Sequence, residues 1–252
     1  MAFDITILGS AGTHTGPGRA CSSYLLRADG YRLLVDCGNG STANLQQLVP
    51  FSQMDAVLIT HRHADHCVDL IGMFYAMKFH AGGTKRIPLY AAPEVSETLS
   101  MFLSTDSQMQ FADAFPHTEI HAGERYEFGP MKVDLFHSVH PAPTVSLRVA
   151  CEDRIFAYSS DSAGGPDLVE CARDADMFLC EATWQGPVDN WPAGIHLTAA
   201  TAGAVGKQAE VKRLVLTHVL PSVDRMRHLE EAATEYDGDL ALADDLQVWT
   251  LT

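Results

Sequence analysis

The sequence predicts one α/β domain, spanning residues 1–252, in which two β-sheets pack face to face beneath covering helices. The chain has 252 residues, of which 46% are hydrophobic, and this is enough for a substantial core. Apolar runs of strand length alternate with helical patterns. An apolar strand ending in histidine occurs twice, at residues 56–61 and 214–218, which suggests two related halves whose strand ends meet.

The individual elements follow from hydrophobic periodicity and from local turn signals. Strands are predicted at residues 3–8, 23–26, 32–35, 56–60, 87–91, 131–136, 144–149, 155–158, 177–179, 213–217 and 246–251. Helices are predicted at about residues 41–48, 66–79, 94–102, 165–173, 198–209 and 222–235. No low-complexity segment, long linker or solenoid repeat marks an internal domain boundary.

The formal net charge of −15, from 17 Lys and Arg against 32 Asp and Glu, disfavours a long nucleic acid as partner. No basic cluster is longer than two residues, as at Lys85-Arg86. Phosphate neutralisation by basic side chains supplies most non-specific affinity for nucleic acids. A small substrate fits this charge better, because bound divalent cations could still attract a single phosphodiester locally.

Six cysteines are scattered without CxxC spacing, at positions 21, 37, 67, 151, 171 and 180. This pattern predicts reduced thiols in a cytosolic protein, so any metal would be held mainly by His and carboxylates. No apolar run is long enough to span a membrane, and residues 1–8 lack the features of a secretion signal. We therefore expect a soluble, cytoplasmic protein without a membrane partner.

The string His61-Arg62-His63-Ala64-Asp65-His66 follows the predicted strand directly. Imidazole suits zinc, iron and manganese, and a carboxylate adds negative charge. A loop at a strand end can direct alternate side chains toward two ions, so we expect His61 and His63 on one metal and Asp65 and His66 on the other. A polar, solvent-exposed loop is the alternative, but so many donors directly after an apolar strand are a rare composition.

Two metals need more donors, and three further candidates follow later apolar strands. They are His140, Asp161 and His218. Together with the His61–His66 string they predict two filled shells that share Asp161 and leave an open position for water. Zinc, manganese and iron would each suit these donors. His137 competes with His140 for the same role.

The order of these motifs resembles the metallo-β-lactamase superfamily, in particular the branch that contains ribonuclease Z. The resemblance covers nearly the whole chain. Besides the His61–His66 string it is carried by Leu8-Gly-Ser-Ala-Gly-Thr13, Cys21-Ser-Ser-Tyr-Leu-Leu26, Leu34-Val-Asp-Cys-Gly38, Glu181-Ala-Thr183 and His196-Leu-Thr198. It implies a four-layer αββα sandwich, a binuclear and usually zinc-containing site, and hydrolysis of an ester-like bond. It also favours His140, which is followed by Pro141, over His137.

The same branch pairs a Glu with the His of an HxT motif to protonate the leaving group, which implies these roles for Glu181 and His196. Purely structural roles, with His196 capping the helix that begins near Thr198, are the alternative. Only twenty residues separate His140 from Asp161. Long-armed tRNA enzymes of this branch carry a Gly-rich, basic arm in that interval. The missing arm makes the chain most similar to bacterial cyclic-nucleotide phosphodiesterases of this fold.

The sequence thus predicts a binuclear hydrolase in which a hydroxide bridging the metals attacks a small cyclic phosphodiester. Asp65 would orient the nucleophile, and His196 with Glu181 would protonate the departing oxygen. The alternatives are a tRNA 3′-processing endonuclease, a lactone or thioester hydrolase, and a metal-bound regulatory protein without catalysis. A homodimer whose partner lines the cleft is compatible with the sequence.

Other polar residues are expected outside this chemistry. His14 could border the substrate, although its turn, residues 12–16, lacks the Lys-Ser/Thr ending of a phosphate-binding loop. Asp36 follows a strand and is expected to support a ligand. The apolar residues Met73, Phe74, Met77 and Phe79 are predicted to form a core-facing helical stripe. The remaining histidines are predicted at the surface, namely His80, His117, His121, His137 and His228.

Overall fold

The computed structural model describes residues 2–79 and 85–252, which form two seven-stranded sheets. The first sheet contains β1 (Phe3–Gly9), β2 (Ser23–Ala28), β3 (Tyr31–Val35), β4 (Ala56–Ile59), β5 (Leu89–Ala91), β6 (His117–Glu119) and, near the C-terminus, β14 (Val248–Leu251). The second contains β7 (Arg125–Phe128), β8 (Met131–His137), β9 (Val145–Cys151), β10 (Arg154–Tyr158), β11 (Met177–Glu181), β12 (Arg213–Thr217) and β13 (Asp239–Leu242).

Both sheets follow the same pairing scheme. The strand order is β14-β1-β2-β3-β4-β5-β6 in the first sheet and β7-β8-β9-β10-β11-β12-β13 in the second. In each sheet three antiparallel pairings are followed by three parallel ones. The two strands that are followed by the predicted histidine ligands, β4 and β12, lie in different sheets. Their positions are not equivalent, because β4 is the first strand after the change to parallel pairing and β12 is the second.

Helices cover the outer faces of both sheets. They are α1 (Ser41–Leu48), α2 (Ala64–Cys67), α3 (Asp69–Lys78), α4 (Val95–Ser100), α5 (Thr105–Ala114), α6 (Pro166–Ala172), α7 (Ala199–Gln208) and α8 (Arg225–Ala233). Side-chain caps fix where several of them begin. Ser104 caps α5, Asp224 caps α8, and Thr198 forms a capping box with Thr201 at the start of α7.

Three hydrophobic layers separate these elements. The central layer lies between the sheets, and the outer two lie beneath α1 and α3–α5 on one side and beneath α6–α8 on the other. Along β4, Ala56 and Leu58 face the central layer, whereas Val57 and Ile59 face an outer one. A strand buried on both faces needs an uninterrupted apolar run, which explains the sequence of β4.

The predicted αββα sandwich is confirmed, and the differences from prediction have physical causes. The three strands that the sequence did not reveal, β6, β7 and β13, all lie at sheet edges. β6 is polar and β7 alternates charged and aromatic residues, so neither contains an apolar run, and β13 has only four residues. The polar helix α5 was also not predicted. Phe79 was expected in the core, but it follows the end of α3 and its surface is 75% exposed. His80 lies outside the described residues.

None of the helices in the described part of the chain has the length and apolar character that a bilayer-spanning segment requires.

Candidate metal centre

The His61–His66 string begins at the end of β4 and lies at the edge where the two sheets meet. His61 and His63 are in the extended connection after β4, whereas Asp65 and His66 belong to the single-turn helix α2. The prediction of a loop is therefore wrong for Asp65 and His66, which are helical. The helix predicted over residues 66–79 is observed as two helices, α2 and α3. Asp65 and His66 nevertheless both reach the second donor group from this helical turn.

The first donor group consists of His61, His63, His140 and Asp161, whose ligand atoms lie within 4.8 Å of one another. The Nδ1 atom of His63 is 3.1 Å from Nε2 of His61 and 3.1 Å from Nε2 of His140. Oδ2 of Asp161 is 3.5 Å from Nε2 of His61 and 3.8 Å from Nε2 of His140. His140, rather than its competitor His137, reaches the cluster, since His137 is exposed at the end of β8.

The second donor group consists of Asp65, His66, Asp161 and His218. Oδ1 of Asp161 is 3.0 Å from Nε2 of His66 and 3.2 Å from Nε2 of His218. Oδ2 of Asp65 is 3.1 Å from Nε2 of His218. The structure thus brings all seven predicted ligands together and places Asp161 in both groups, with one carboxylate oxygen facing each.

Outside the cluster, hydrogen bonds determine which ring nitrogen of each histidine faces inward. His66 Nδ1 donates to Asp36 Oδ2 at 2.8 Å, and His140 Nδ1 donates to the carbonyl oxygen of Ile195 at 2.9 Å. His61 Nδ1 is 3.2 Å from Thr60 Oγ1, and His218 Nδ1 is 2.8 Å from Thr183 Oγ1. A proton on Nδ1 of these four histidines leaves Nε2 as the atom that would bind an ion, whereas His63 faces the cluster with Nδ1.

Asp36 is the centre of a fully buried network behind His66. Its Oδ1 accepts from the backbone N–H of Thr60, and its Oδ2 accepts from His66, from the Thr60 hydroxyl and from the Tyr158 hydroxyl. The supporting role expected for Asp36 therefore matches its position. Asp36 itself adopts φ 56°, and residues 160 and 218 beside the cluster have φ 52° and 55°. At these three residues the surrounding hydrogen bonds offset the cost of a positive φ at a non-glycine position.

Glu181 and His196 form a buried pair beside the cluster. Oε1 of Glu181 accepts from His196 Nδ1 at 2.8 Å and from the backbone N–H of Ser162. Oε2 accepts from the Thr183 hydroxyl at 2.8 Å, and that hydroxyl in turn accepts from His218. Glu181 is therefore occupied by hydrogen bonds rather than free to act as a ligand. It connects the proton-carrying His196 to one of the predicted metal ligands.

The electrostatics of the cluster favour a cation. Burial opposes charge on His66, yet Asp161, Asp36 and Asp65 together hold the pKa of His66 well above its usual range. Burial, followed by the charge of His66, lowers the pKa of His61 to about 4. Despite burial, the charges of His218 and His66 hold the pKa of Asp161 well below its usual range. The carboxylates thus stabilise positive charge among the imidazoles, in the place where a divalent ion would supply it.

The donor geometry fits such an ion. Three imidazole nitrogens converge at 3.1 Å, close to the ~3.3 Å that separates ligand nitrogens around tetrahedral zinc with Zn–N bonds of about 2.05 Å. Among the described residues, His66 Nε2 and Asp161 Oδ1 are buried and have no polar contacts other than those within the donor group itself. Buried polar atoms in that state are costly unless a ligand satisfies them.

A model of the family described as Anti-Pycsar protein Apyc1 matches residues 3–220, which include every residue of the cluster. The chain belongs to the Apyc1 family. Among sequence relatives of this Apyc1-family protein, the uncharacterized protein Rv1339 of Mycobacterium tuberculosis is 34% identical over 245 residues, covering 94% of the chain and 88% of the relative. The probable metallo-hydrolase YhfI of Bacillus subtilis is 28% identical over 257 residues, covering 97% and 98%.

Solved structures show the same fold. The crystal structure of YhfI, a metallo-β-lactamase fold protein from Bacillus subtilis, superposes with a TM-score of 0.88 at 24% identity and 99% coverage of both chains. Human tRNase Z, short form, superposes with a TM-score of 0.79 at 22% identity and 99% coverage of both chains. Family membership, fold and donor set agree: the Apyc1-family protein described here is a metallo-hydrolase of the metallo-β-lactamase fold.

The structure of this Apyc1-family protein gives the positions of the histidines that the sequence did not assign to the metal cluster. His14 is exposed, and its Nδ1 lies 3.0 Å from the backbone oxygen of Thr15. The neighbouring Thr13, at φ 64°, instead directs its backbone N–H to Asp65 Oδ2 at 2.8 Å. His117 and His121 are exposed as predicted. His228 was predicted at the surface, and this is wrong.

His228 is fully buried on α8, where its Nδ1 lies 2.7 Å from the side-chain amide of Gln185. A histidine among polar helix residues gives no sequence signal for this contact, because the partner lies on a distant loop. Thr183 could have been found, since it follows Glu181 by two residues and its hydroxyl faces the same side. Thr13 contacts Asp65 through its backbone N–H, so the type of side chain at position 13 could not have revealed this contact.

Proposed function

We propose that the protein is a binuclear metal-dependent phosphodiesterase that hydrolyses small cyclic nucleotides. The observation that carries this proposal is the Glu181–His196 pair, which places a proton donor beside two donor groups that share Asp161. Phosphodiester hydrolysis needs both electrophilic activation and protonation of a poor leaving oxygen. Acyl substrates with good leaving groups do not need the second function.

Two divalent cations, preferably zinc, fit the two donor groups. His61, His63, His140 and Asp161 would hold one ion, and Asp65, His66, Asp161 and His218 would hold the other. Such ions, when bound, would lower the pKa of a coordinated water and offset charge on the phosphoryl oxygens. Manganese or iron would suit the same nitrogen and oxygen donors.

The protein's own residues orient and transfer protons. Asp65 accepts a hydrogen bond on Oδ2 from the backbone N–H of Thr13, which holds its carboxylate at the edge of the cluster, where it can orient the attacking water. His196 holds Nδ1 on Glu181, so Nε2 is the atom that can donate a proton to the departing oxygen. Despite burial, the charge of Glu181 raises the pKa of His196 to about 9, which keeps the donor charged at neutral pH.

Several features support a small substrate. Strands β9 and β10 form a hairpin joined by Glu152 and Asp153 alone, so the interval from His140 to Asp161 contains no arm that could hold tRNA. The net charge of −15 opposes binding of a polyanion. The family model that matches the chain describes a cyclic-nucleotide-degrading family. A cyclic mononucleotide carries one phosphodiester and needs only the local positive charge of the site.

The proposal is tested with purified, metal-loaded protein and a substrate panel. The panel contains cyclic mononucleotides, bis(p-nitrophenyl) phosphate, precursor tRNA and a lactone, each with and without chelator. We expect turnover of the cyclic nucleotides and the aryl diester, and its loss with chelator. Turnover of precursor tRNA or of the lactone alone would overturn the assignment in favour of a processing nuclease or an acyl hydrolase.

A matched pair of histidine variants tests the proton donor. His196→Ala should slow turnover of cyclic nucleotides by about 10²-fold or more while the metal content stays unchanged. His137→Ala is the control, because that imidazole is exposed and its Nδ1 lies 3.8 Å from Asp167. Full activity of the His196→Ala protein would show that the donor is misassigned.

A further inference from the structure

The segment from Trp184 to His196, here called the strap, connects the Glu181 strand to the proposed proton donor. At its base the backbone of Trp184 is paired with the chain just beyond His196, through bonds of 3.0 Å to Leu197 and from Ala199. Most of the strap is exposed, at residues 187–190 and 192–194. One large apolar side chain, Trp191, lies in the middle of this exposed stretch.

Trp191 folds back onto the base of the strap. Its ring stacks on Trp184 with centroids 4.5 Å apart and an interplanar angle of 3°. Its Nε1 donates a hydrogen bond of 2.7 Å to the backbone oxygen of Gln185. Trp184 in turn meets His196 edge to face, with centroids 5.2 Å apart and an angle of 79°. The two indoles therefore form a continuous row of rings that ends on the imidazole of His196.

The strap is also anchored on its far side. The side-chain amide of Gln185 bonds to His228, and the backbone N–H of Gly186 donates to Glu231 Oε2 at 2.8 Å. Both partners belong to α8. The burial of His228 has a role in this arrangement, because it fixes the start of the strap and with it the position of Trp184.

His196 needs such support. Among the described residues, its ring is held by a single hydrogen bond, from Nδ1 to Glu181. One hydrogen bond fixes one ring atom but leaves the plane free to tilt, and a tilt moves Nε2, the atom that must reach the leaving oxygen. The rings of His140 and His218 lie 5.4 and 5.3 Å from the His196 ring on the cluster side. Trp184 adds an edge-to-face contact from the strap, and Trp191 supports Trp184 by stacking on it.

We propose that Trp184 and Trp191 are positioning residues for proton donation by His196, an inference that rests on the proposed function. The proton moves from His196 Nε2 to the leaving oxygen as the P–O bond breaks, and Glu181 keeps its hydrogen bond from Nδ1. Trp191 contacts neither substrate nor metal ligands in this role. Through its contact with Trp184, it keeps Nε2 of His196 directed toward the leaving oxygen.

Leaving-group dependence separates positioning from general stability. In Trp191→Ala we expect kcat to fall on the order of tenfold for a diester with an alkoxide leaving group, because misaligned donors lose rate steeply. For an aryl diester that releases p-nitrophenolate the loss should stay below about twofold, because that group leaves without a proton. KM and metal content should be unchanged, and Trp191→Phe should restore most of the rate.

Trp249→Phe is the matched control, since Trp249 lies on β14 and packs against the Arg213 guanidinium instead of the strap. An equal loss of rate with both leaving groups would overturn the inference in favour of general destabilisation. A rise in KM alone would overturn it in favour of direct substrate contact.

A second readout does not depend on turnover. The Nδ1 proton of His196, shared with Glu181, should give a downfield NMR signal in the native protein and in Trp249→Phe, and this signal should broaden or vanish in Trp191→Ala. An unchanged signal in Trp191→Ala would overturn the inference. If the native protein hydrolyses no phosphodiester, the proposed function fails, and this signal still tests whether Trp191 positions His196.

Discussion

The Tyr158 hydroxyl on β10 donates a hydrogen bond of 2.9 Å to Oδ2 of Asp36, which follows β3, and so joins the two sheets directly behind the metal centre. The same carboxylate oxygen accepts from His66. One buried group therefore serves both the packing of the sheets and the orientation of a proposed metal ligand. Metal affinity and fold stability should respond together to changes at Asp36.

The first prediction separates these two contributions. Asp36→Asn should weaken zinc affinity by about 10–100-fold, because the amide cannot accept every hydrogen bond that orients His66 and Thr60. Its free energy of unfolding should fall by about 1–3 kcal/mol. Tyr158→Phe should cost only about 1 kcal/mol and leave zinc affinity nearly native, because the carboxylate keeps its other donors. Chelator competition and urea unfolding measure the two quantities; equal affinity losses in both variants would contradict this account.

The second prediction concerns Asp161, which faces both donor groups. Asp161→Ala should reduce bound zinc from two ions to fewer than one per chain, whereas His63→Ala should retain the ion of the second group. Elemental analysis after dialysis against limiting zinc gives the stoichiometry. Because ions that bind only the folded state raise the melting temperature, chelator should lower the Tm of the native protein but hardly affect Asp161→Ala. Two tightly bound ions in Asp161→Ala would show that Asp161 is not shared.

The third prediction is a pH dependence. His196 must carry a proton to act as an acid, so activity should decline as pH rises through its pKa, about 9 in the metal-free protein. Bound cations add positive charge and move this decline to lower pH. Burial alone lowers the pKa of His196, and the charge of Glu181 reverses that effect. In Glu181→Gln the decline should therefore begin at lower pH than in the native protein, as a pH profile of kcat would measure. Coincident alkaline limbs would exclude His196 as the titrating donor.

The fourth prediction concerns Gly12. A Cβ at this position would lie 2.4 Å from the backbone oxygen and 2.5 Å from Nδ1 of His218. Gly12→Ala should therefore displace His218, destabilise the fold by about 1–3 kcal/mol and weaken binding at the second donor group. Gly72→Ala is the control, because Gly72 lies on α3 with no atom near its Cβ direction. That variant should be stabilised by about 0.5–1 kcal/mol through helix propensity. Thermal unfolding and zinc titration measure both, and a native zinc affinity in Gly12→Ala would contradict the prediction.

The sequence predicted the donor cluster well because strand ends impose a simple rule. His61, Asp161 and His218 each follow an apolar strand, and in a sandwich of two such sheets these ends meet at one edge. The residues that hydrogen-bond the outward-facing ring nitrogens of these histidines were harder to predict. Thr183 and Ile195 contact the ring nitrogens of His218 and His140 across the fold, and the role of Ile195 belongs to its backbone oxygen.

Elements at the periphery could not be predicted for a related reason. The edge strands β6 and β13 have three and four residues and pair with a single neighbour, so they are too short to give a periodic signal. The helix α2 has only four residues, which are too few to form a stable helix alone. Its conformation therefore depends on its place between the predicted ligands and not on the helix propensity of its residues. The row of Trp184 and Trp191 depends on a loop folding back, which no periodicity describes.

Each donor group contains residues contributed by both sheets, and this affects when a metal can bind during biosynthesis. Asp65 and His218 meet in the same donor group although 153 residues separate them in the chain. While the polypeptide is still emerging from the ribosome, the His61–His66 string is exposed without its distant partners and can hold an ion only loosely. Tight metal binding requires that almost the whole chain has been synthesised and that the second sheet has packed against the first. Metal acquisition should therefore be a late, post-translational event, and metal-starved cells should accumulate chains that are complete in length but have empty sites.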